Sequence, residues 1–377
     1  MLEHFLNLKP LYYNEIDYTR MPRVYERIKK DLKIPKIIHI IGTNGKGTTG
    51  RFLATALYNI TKSVGHYTSP HIIDFNERIW LNGSNVTNEV LELAHLKLLN
   101  ILTKDEAKSL SYFEYTTFLA MVVFEGLEYI VLEAGLGGEH DATAVFKKEL
   151  TLVTPIDKDH EDFLGTTIKE IATTKLNAIQ DNAILAHQNY QEVYEIAFAK
   201  KQNILKIEDI LNAKDIEKVN KIAKEFSLVT YLRDNLALSI SALKFLNLTY
   251  EQKHFENAKL FGRLTQINEQ IIVDVGHNTL AANAILKALN GKKFILVYNS
   301  YKDKEYSKIL SILKPIIKEV QIIDIEDERI EKSEKMKKTL ENLDIKYSQF
   351  NGIKEDEKYL VFGSFKVVEN FLKVQNG

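Results

Sequence analysis

Residues 42–48 read Gly42-Thr43-Asn44-Gly45-Lys46-Gly47-Thr48, a short run that holds the parts of a polyphosphate cradle. Glycines let the backbone close around phosphate oxygens, Lys46 can neutralise β- and γ-phosphates, and the Thr48 hydroxyl can take a coordination position on Mg²⁺. A strict G-x-x-x-x-G-K-[ST] search misses it, because Ile40 stands where the first glycine belongs and Gly47 separates the lysine from the hydroxyl. The competing reading is a glycine turn with a solvated lysine. Other candidates follow. Glu133 ends the apolar run Tyr129-Ile130-Val131-Leu132 and leads into Ala134-Gly135-Leu136-Gly137-Gly138, where an acid is either a metal ligand or a helix cap. Ser69, in Thr68-Ser69-Pro70-His71, is either a turn hydroxyl or an oxygen ligand. His160, in Asp157-Lys158-Asp159-His160-Glu161-Asp162, reads alone as a solvated side chain, because Mg²⁺ prefers oxygen. Lys175, in a helical stretch from Ile168 to Ile179, reads alone as surface charge.

The elements around the loop support the phosphate reading. Ile37-Ile38-His39-Ile40-Ile41 is a β-branched run that predicts a buried strand, and Phe52, Leu53, Ala56 and Leu57 recur at helical spacing behind the loop. Strand, tight loop and helix in that order place unpaired backbone N–H groups and the positive end of a helix dipole at one point. Residues 86–126 read as mostly helical, and residues 200–225, rich in Lys, Glu, Asp and Asn, as a solvated helical excursion. An apolar helix with Asn235 in its first turn follows, and Phe261-Gly262-Arg263-Leu264-Thr265 is the best boundary. Beyond it, strands at 271–275, 294–298, 320–324 and 359–363 alternate with helices at 278–289 and 306–313. The expected fold is α/β: a mostly parallel-sheet domain with the phosphate loop over residues 1–263, then a smaller Rossmann-like domain over 264–377.

Composition narrows the function. A formal net charge of −1 offers no broad surface for nucleic acid, and no apolar run is long enough to span a bilayer. The expected location is the cytoplasm. With no cysteine, disulfides, thiolate ligands and a cysteine nucleophile are excluded, so any metal is held by oxygen or imidazole.

Taken in order, these segments resemble the folylpolyglutamate synthase and dihydrofolate synthase family, a branch of the Mur-ligase-like ATP-dependent amide ligases. The resemblance rests on Gly42 to Thr48, Tyr67-Thr68-Ser69-Pro70-His71, Phe75-Asn76-Glu77-Arg78, Glu133 to Gly138 with Asp141-Ala142-Thr143, Asp159-His160 with Phe163-Leu164-Gly165, Gly262-Arg263, and Asp274 with His277-Asn278. It implies that Thr48, Ser69, Glu133 and His160 hold Mg²⁺, two ions being usual, and that Lys175 takes the place of a carbamylated lysine. It assigns Asn235, Arg263 and Asp274 to ATP, and Lys46, His160 and Lys175 to catalysis. It places Ile16, Asp17, Phe113, Glu139, His140, Asp141, His277 and Asn278 near the substrates, the last two at the domain cleft. The sequence departs from the family pattern twice: Glu139-His140-Asp141 replaces arginine-leucine-aspartate, and Thr174-Lys175-Leu176-Asn177 replaces glutamate-lysine-alanine-glycine.

The implied reaction is ATP-driven acylation: a pterin carboxylate, of dihydropteroate or a reduced folate, forms an acyl phosphate that the amine of L-glutamate displaces. Both activities are expected in one monomeric chain, with a dihydrofolate synthase alone, or a P-loop ATPase without a ligase step, as the alternatives.

Overall fold

The computed structural model describes residues 1–10 and 17–376. Ile16, expected near the substrate, lies outside the described residues. The chain divides into two compact units, Met1–Ala258 and Lys259–Gly377.

The first unit is built on an eight-stranded sheet. Its strands are β1 (Lys36–Ile41), β2 (Val64–Tyr67), β3 (Ile79–Leu81), β4 (Ser84–Asn85), β5 (Tyr129–Glu133), β6 (Leu150–Val153), β7 (Asn182–Leu185) and β8 (Asn203–Lys206), in the spatial order β4-β3-β2-β5-β1-β6-β7-β8. The β2–β3 and β3–β4 pairs are antiparallel and the others parallel. β1 lies near the middle because Ile37, Ile38, Ile40 and Ile41 have no polar face to offer water; all four are fully buried. Full burial of each such side chain is worth about 1.5–3 kcal/mol. One apolar layer packs the Tyr112–Val123 helix against the sheet, and another packs the Lys46–Thr61 and Thr230–Phe245 helices.

The second unit has a six-stranded sheet: β9 (Thr265–Gln266), β10 (Ile271–Asp274), β11 (Phe294–Tyr298), β12 (Ile317–Ile322), β13 (Tyr347–Gln349) and β14 (Tyr359–Phe362), ordered β13-β12-β11-β14-β10-β9. Only the short β9–β10 pair is antiparallel. Both units therefore have the expected α/β class. The alternation of strands and helices beyond residue 265 is as expected, with the helices at Thr279–Leu289 and Tyr306–Leu313.

One expectation fails. Within the stretch expected to be a solvated helical excursion, Asn203–Lys206 is the edge strand β8, followed by helices at Ile207–Ile210 and Ala213–Glu225. This edge strand reads Asn203-Ile204-Leu205-Lys206 and buries none of its residues fully, so its pattern is short and weak. No helix among the described residues is long and apolar enough to cross a membrane.

The fully buried Phe118 packs edge-on against Phe146, with ring centroids 6.3 Å apart. Phe118→Ala is expected to cost about 3–5 kcal/mol in urea unfolding. Phe163→Ala, at a side chain 52% exposed, should stay within about 0.5 kcal/mol of the parent. Equal losses would contradict this placement of the core.

Candidate active site

The register of β1 decides where the site forms. Ile40 pairs with Glu133 of β5, and Ile41 with Val153 of β6, so three chain segments leave the sheet side by side at its carboxyl edge. The phosphate loop turns there. Gly42 has φ +134°, and a Cβ on it would stand 2.0 Å from Thr154 Oγ1 and 2.7 Å from Thr154 O. Only glycine fits that approach. Thr43 completes the join: its N–H donates to Pro155 O at 3.0 Å and its hydroxyl to Asp157 O at 2.9 Å. Gly45, with φ +93°, stands at the start of the Lys46–Thr61 helix, and a Cβ there would lie 2.6 Å from Asn235 Oδ1. Asn235 is thus brought against the loop from nearly two hundred residues away.

The helix start is open to an anion. No side chain caps it, so its first-turn amides keep their donor capacity, and the dipole adds positive charge. Lys46 Nζ donates to the carbonyls of Gly42 and Thr43, both at 3.3 Å, and lies 4.0 Å from Glu133 Oε1. Glu133 is buried and accepts from the Thr68 hydroxyl and, at 3.4 Å, from Ser69 N–H. The Thr48 hydroxyl is buried and has no hydrogen-bond partner. An unpartnered hydroxyl oxygen at the start of this helix is free to take a coordination position.

Lys175 is not on the surface. It is 3% exposed, its Nζ donates to Gly42 O at 3.0 Å, and burial pushes its pKa down to about 7, helped by the Lys46 ammonium and opposed by Asp159 and Asp141. Asp159 is a site residue that the sequence reading left out. It is buried, its Oδ2 lies 3.9 Å from His160 Nε2, and its Oδ1 accepts from His160 N–H at 3.0 Å. Its place in the acidic loop a few residues beyond the β6 strand end was the available signal. Gly42, Lys46, Gly135, Asp159, His160 and Lys175 line one cleft.

Among the described residues, no three His, Asp or Glu side chains converge on a point where a metal could sit. A cation here would therefore need hydroxyl, phosphate and water oxygens as well, which is how Mg²⁺ binds beside nucleotides. Glu133, the orphaned Thr48 hydroxyl and the neighbouring Ser69 fit that need.

The expected substrate residues divide differently. Phe113 packs against the glycine loop, where a Cβ on Gly135 would stand 2.5 Å from its ring. His140 and Tyr18 place their rings 4.4 Å apart. Asp17 accepts from Thr19 N–H and hydroxyl at 2.9 and 2.7 Å. Asp141 has a different task from the one expected, because both carboxylate oxygens serve the fold. Oδ2 accepts from the N–H groups of Gly135 and Leu136 at 3.0 and 2.8 Å, and Oδ1 from the N–H and hydroxyl of Thr143, which meets His39 Nε2 at 2.8 Å. Glu139 faces Asn177, whose Nδ2 donates to its Oε2 at 2.7 Å.

In the second unit, Asp274 accepts from Leu264 N–H and Gly276 N–H, both at 2.8 Å, and so fixes both the turn that carries Arg263 and the loop that carries His277. The Arg263 guanidinium lies over the Phe365 ring at 5.2 Å. Asn278 caps the Thr279–Leu289 helix by accepting from Ala281 N–H at 2.9 Å.

No family model matches the sequence. Known proteins do. A dihydrofolate synthase/folylpolyglutamate synthase of Buchnera aphidicola subsp. Baizongia pistaciae is 31% identical over 97% of this chain and 92% of its own length. The crystal structure of Helicobacter pylori folylpolyglutamate synthetase is 38% identical, with a TM-score of 0.80 over 100% of this chain and 98% of that one. The chain belongs to the dihydrofolate synthase/folylpolyglutamate synthase family. A further relative of this family, Escherichia coli FolC in complex with ADP, is 25% identical with a TM-score of 0.79, covering 96% of this chain and 95% of that one. The resemblance that the motifs suggested is thus borne out over the whole length.

A buried lysine with a lowered pKa is neutral in the fold and charged in the unfolded chain. Between its ordinary 10.5 and about 7, the unfolded state therefore binds a proton that the folded state does not, and stability falls as pH falls. Lys175→Met removes that penalty. It is expected to melt higher than the parent near neutral pH, with the gain shrinking as pH approaches 10.5; a gain that does not change with pH would contradict the burial of the amine.

Proposed function

We propose that this chain is an ATP-dependent ligase joining L-glutamate to the carboxylate of dihydropteroate and of reduced folates, with both activities in one protein. What carries the reading is the loop at Gly42 to Thr48. Its uncapped helix start, two lysine amines and orphaned Thr48 hydroxyl together form a cationic, oxygen-seeking cradle at a strand edge. Family membership supplies the reaction, and the ADP bound by the Escherichia coli relative agrees with a nucleotide at this loop.

In this scheme the loop amides and Lys46 hold the ATP phosphates, and Asn235 borders the nucleotide. A carboxylate oxygen of the pterin substrate attacks the γ-phosphorus, the bond to the β,γ-bridging oxygen breaks, and ADP leaves an acyl phosphate. The glutamate amine then attacks the acyl carbon, phosphate departs, and the amine loses a proton as the amide forms. Charge develops on the transferring phosphoryl oxygens, and the fixed Lys46 amine and the loop's backbone donors stabilise it without having to reorganise. Thr48, Ser69, Glu133 and His160 would hold Mg²⁺, which supplies charge neutralisation at the phosphates. Burial of Lys175 keeps a large share of its amine uncharged near neutral pH, the form able to take up carbon dioxide as a carbamate. The family resemblance assigns Arg263 and Asp274 to ATP, and His277 and Asn278 to the substrates. The reading puts this ATP-dependent reaction in the cytoplasm.

ADP release is expected only when a pterin carboxylate and L-glutamate are both present, with dihydropteroate and with tetrahydrofolate. Lys46→Ala should abolish it while melting at the parent's temperature. Release that ignores glutamate would favour a bare ATPase, and turnover by Lys46→Ala would overturn the reading.

A further inference from the structure

The two places where the sequence departs from its family meet in space. Glu139 follows the double glycine, Asn177 follows Lys175 by two residues, and Asn177 Nδ2 donates to Glu139 Oε2 at 2.7 Å. The other end of the Asn177 amide is also engaged, its Oδ1 accepting from Lys200 Nζ at 2.6 Å. Beside this bond, Glu139 N–H donates to Thr174 O at 3.0 Å. The backbones beneath are in direct contact: a Cβ on Gly138 would stand 2.5 Å from Lys175 O and 2.8 Å from Lys175 Cα.

Lys175 lies in the last turn of the Ile168–Leu176 helix. The carbonyls of a helix's final turn need partners beyond the helical ladder. Here Thr173 O, Lys175 O and Leu176 O accept from the N–H groups of Asn177, Ala178 and Ile179, and the one taken by another segment is Thr174 O, held by the glycine loop through Glu139 N–H. The same turn sends the Lys175 amine to Gly42 O at 3.0 Å, so any slack in the helix end moves the amine relative to the phosphate loop. A displacement of about 1 Å in a reacting group can cost about a hundredfold in rate.

We infer that Glu139 and Asn177 are positioning residues, which clamp the end of the Lys175 helix onto the glycine loop and so hold the Lys175 amine at Gly42. Neither side chain lines the cleft. The inference rests on the proposed ligase reading only where it concerns rate; the clamp itself does not depend on it.

The test uses the full chain and three variants. In Glu139→Gln the amide oxygen still accepts from Asn177, whereas Glu139→Ala and Asn177→Ala remove the bond. Amide hydrogen exchange of the ligand-free protein should rise about tenfold over residues 135–141 and 172–178 in both alanine variants, and stay at the parent level in Glu139→Gln. In ADP release, each alanine variant should lose roughly three- to tenfold in kcat with KM for ATP within about twofold, and the double variant should be no worse than either single one. Unchanged exchange in the alanine variants would overturn the clamp, as would Glu139→Gln behaving like Glu139→Ala. Losses that add in the double variant, or a loss confined to KM for the pterin, would show that Glu139 meets substrate instead. If the parent releases no ADP, the ligase reading fails while the exchange measurement still decides the clamp.

Discussion

The parallel pairing of β1 between β5 and β6 is the constraint on which the site depends. It brings Gly42, Glu133 and the Thr154–His160 segment to one edge of one sheet, although Gly42 is far from the other two in the chain. The packing there leaves no slack. Gly42 lies so close to Thr154 that the loop and the end of β6 behave as one piece, and Lys175 closes the arrangement from a fourth segment by donating to the same glycine carbonyl. A one-residue slip of β1, both of whose faces are buried, would exchange the side chains packed on each face and separate the lysine from the acid.

That geometry makes an unusual electrostatic arrangement. Two lysine amines approach the carbonyls of one short loop beside a helix start, with the buried carboxylate of Glu133 4.0 Å from one of them. The uncapped helix start adds backbone donors and the positive end of a dipole at the same point, a setting that favours an anion. A polyphosphate fits it, and the orphaned Thr48 hydroxyl adds a place for the cation that travels with one. Burial meanwhile keeps Lys175 from being a second full charge, which lowers its repulsion of Lys46.

Much of this was legible in the sequence. The Ile37–Ile41 run states a buried strand, because β-branching leaves few alternatives, and the loop glycines point to a phosphate cradle over a plain glycine turn. The second sheet was readable from its alternation. What escaped depended on partners that local sequence does not name. Lys175 read as surface charge because lysines are rarely buried, and only the family resemblance marked it. Asp141 read through that resemblance as a substrate contact, whereas its oxygens are spent on the amides of Gly135, Leu136 and Thr143. β8 hid in a polar stretch because an edge strand need not be apolar. Asp159 was passed over in favour of its neighbour His160, although it is the more buried of the two.

The claim at the centre is that this loop holds a nucleotide triphosphate together with a divalent cation. Titration calorimetry of a non-hydrolysable ATP analogue, with and without Mg²⁺, tests it on the parent chain and on Thr48→Val, which loses only the orphaned hydroxyl. The account predicts binding that Mg²⁺ strengthens in the parent and strengthens far less in the variant. Binding indifferent to Mg²⁺ in the parent, or no binding at all, would contradict it.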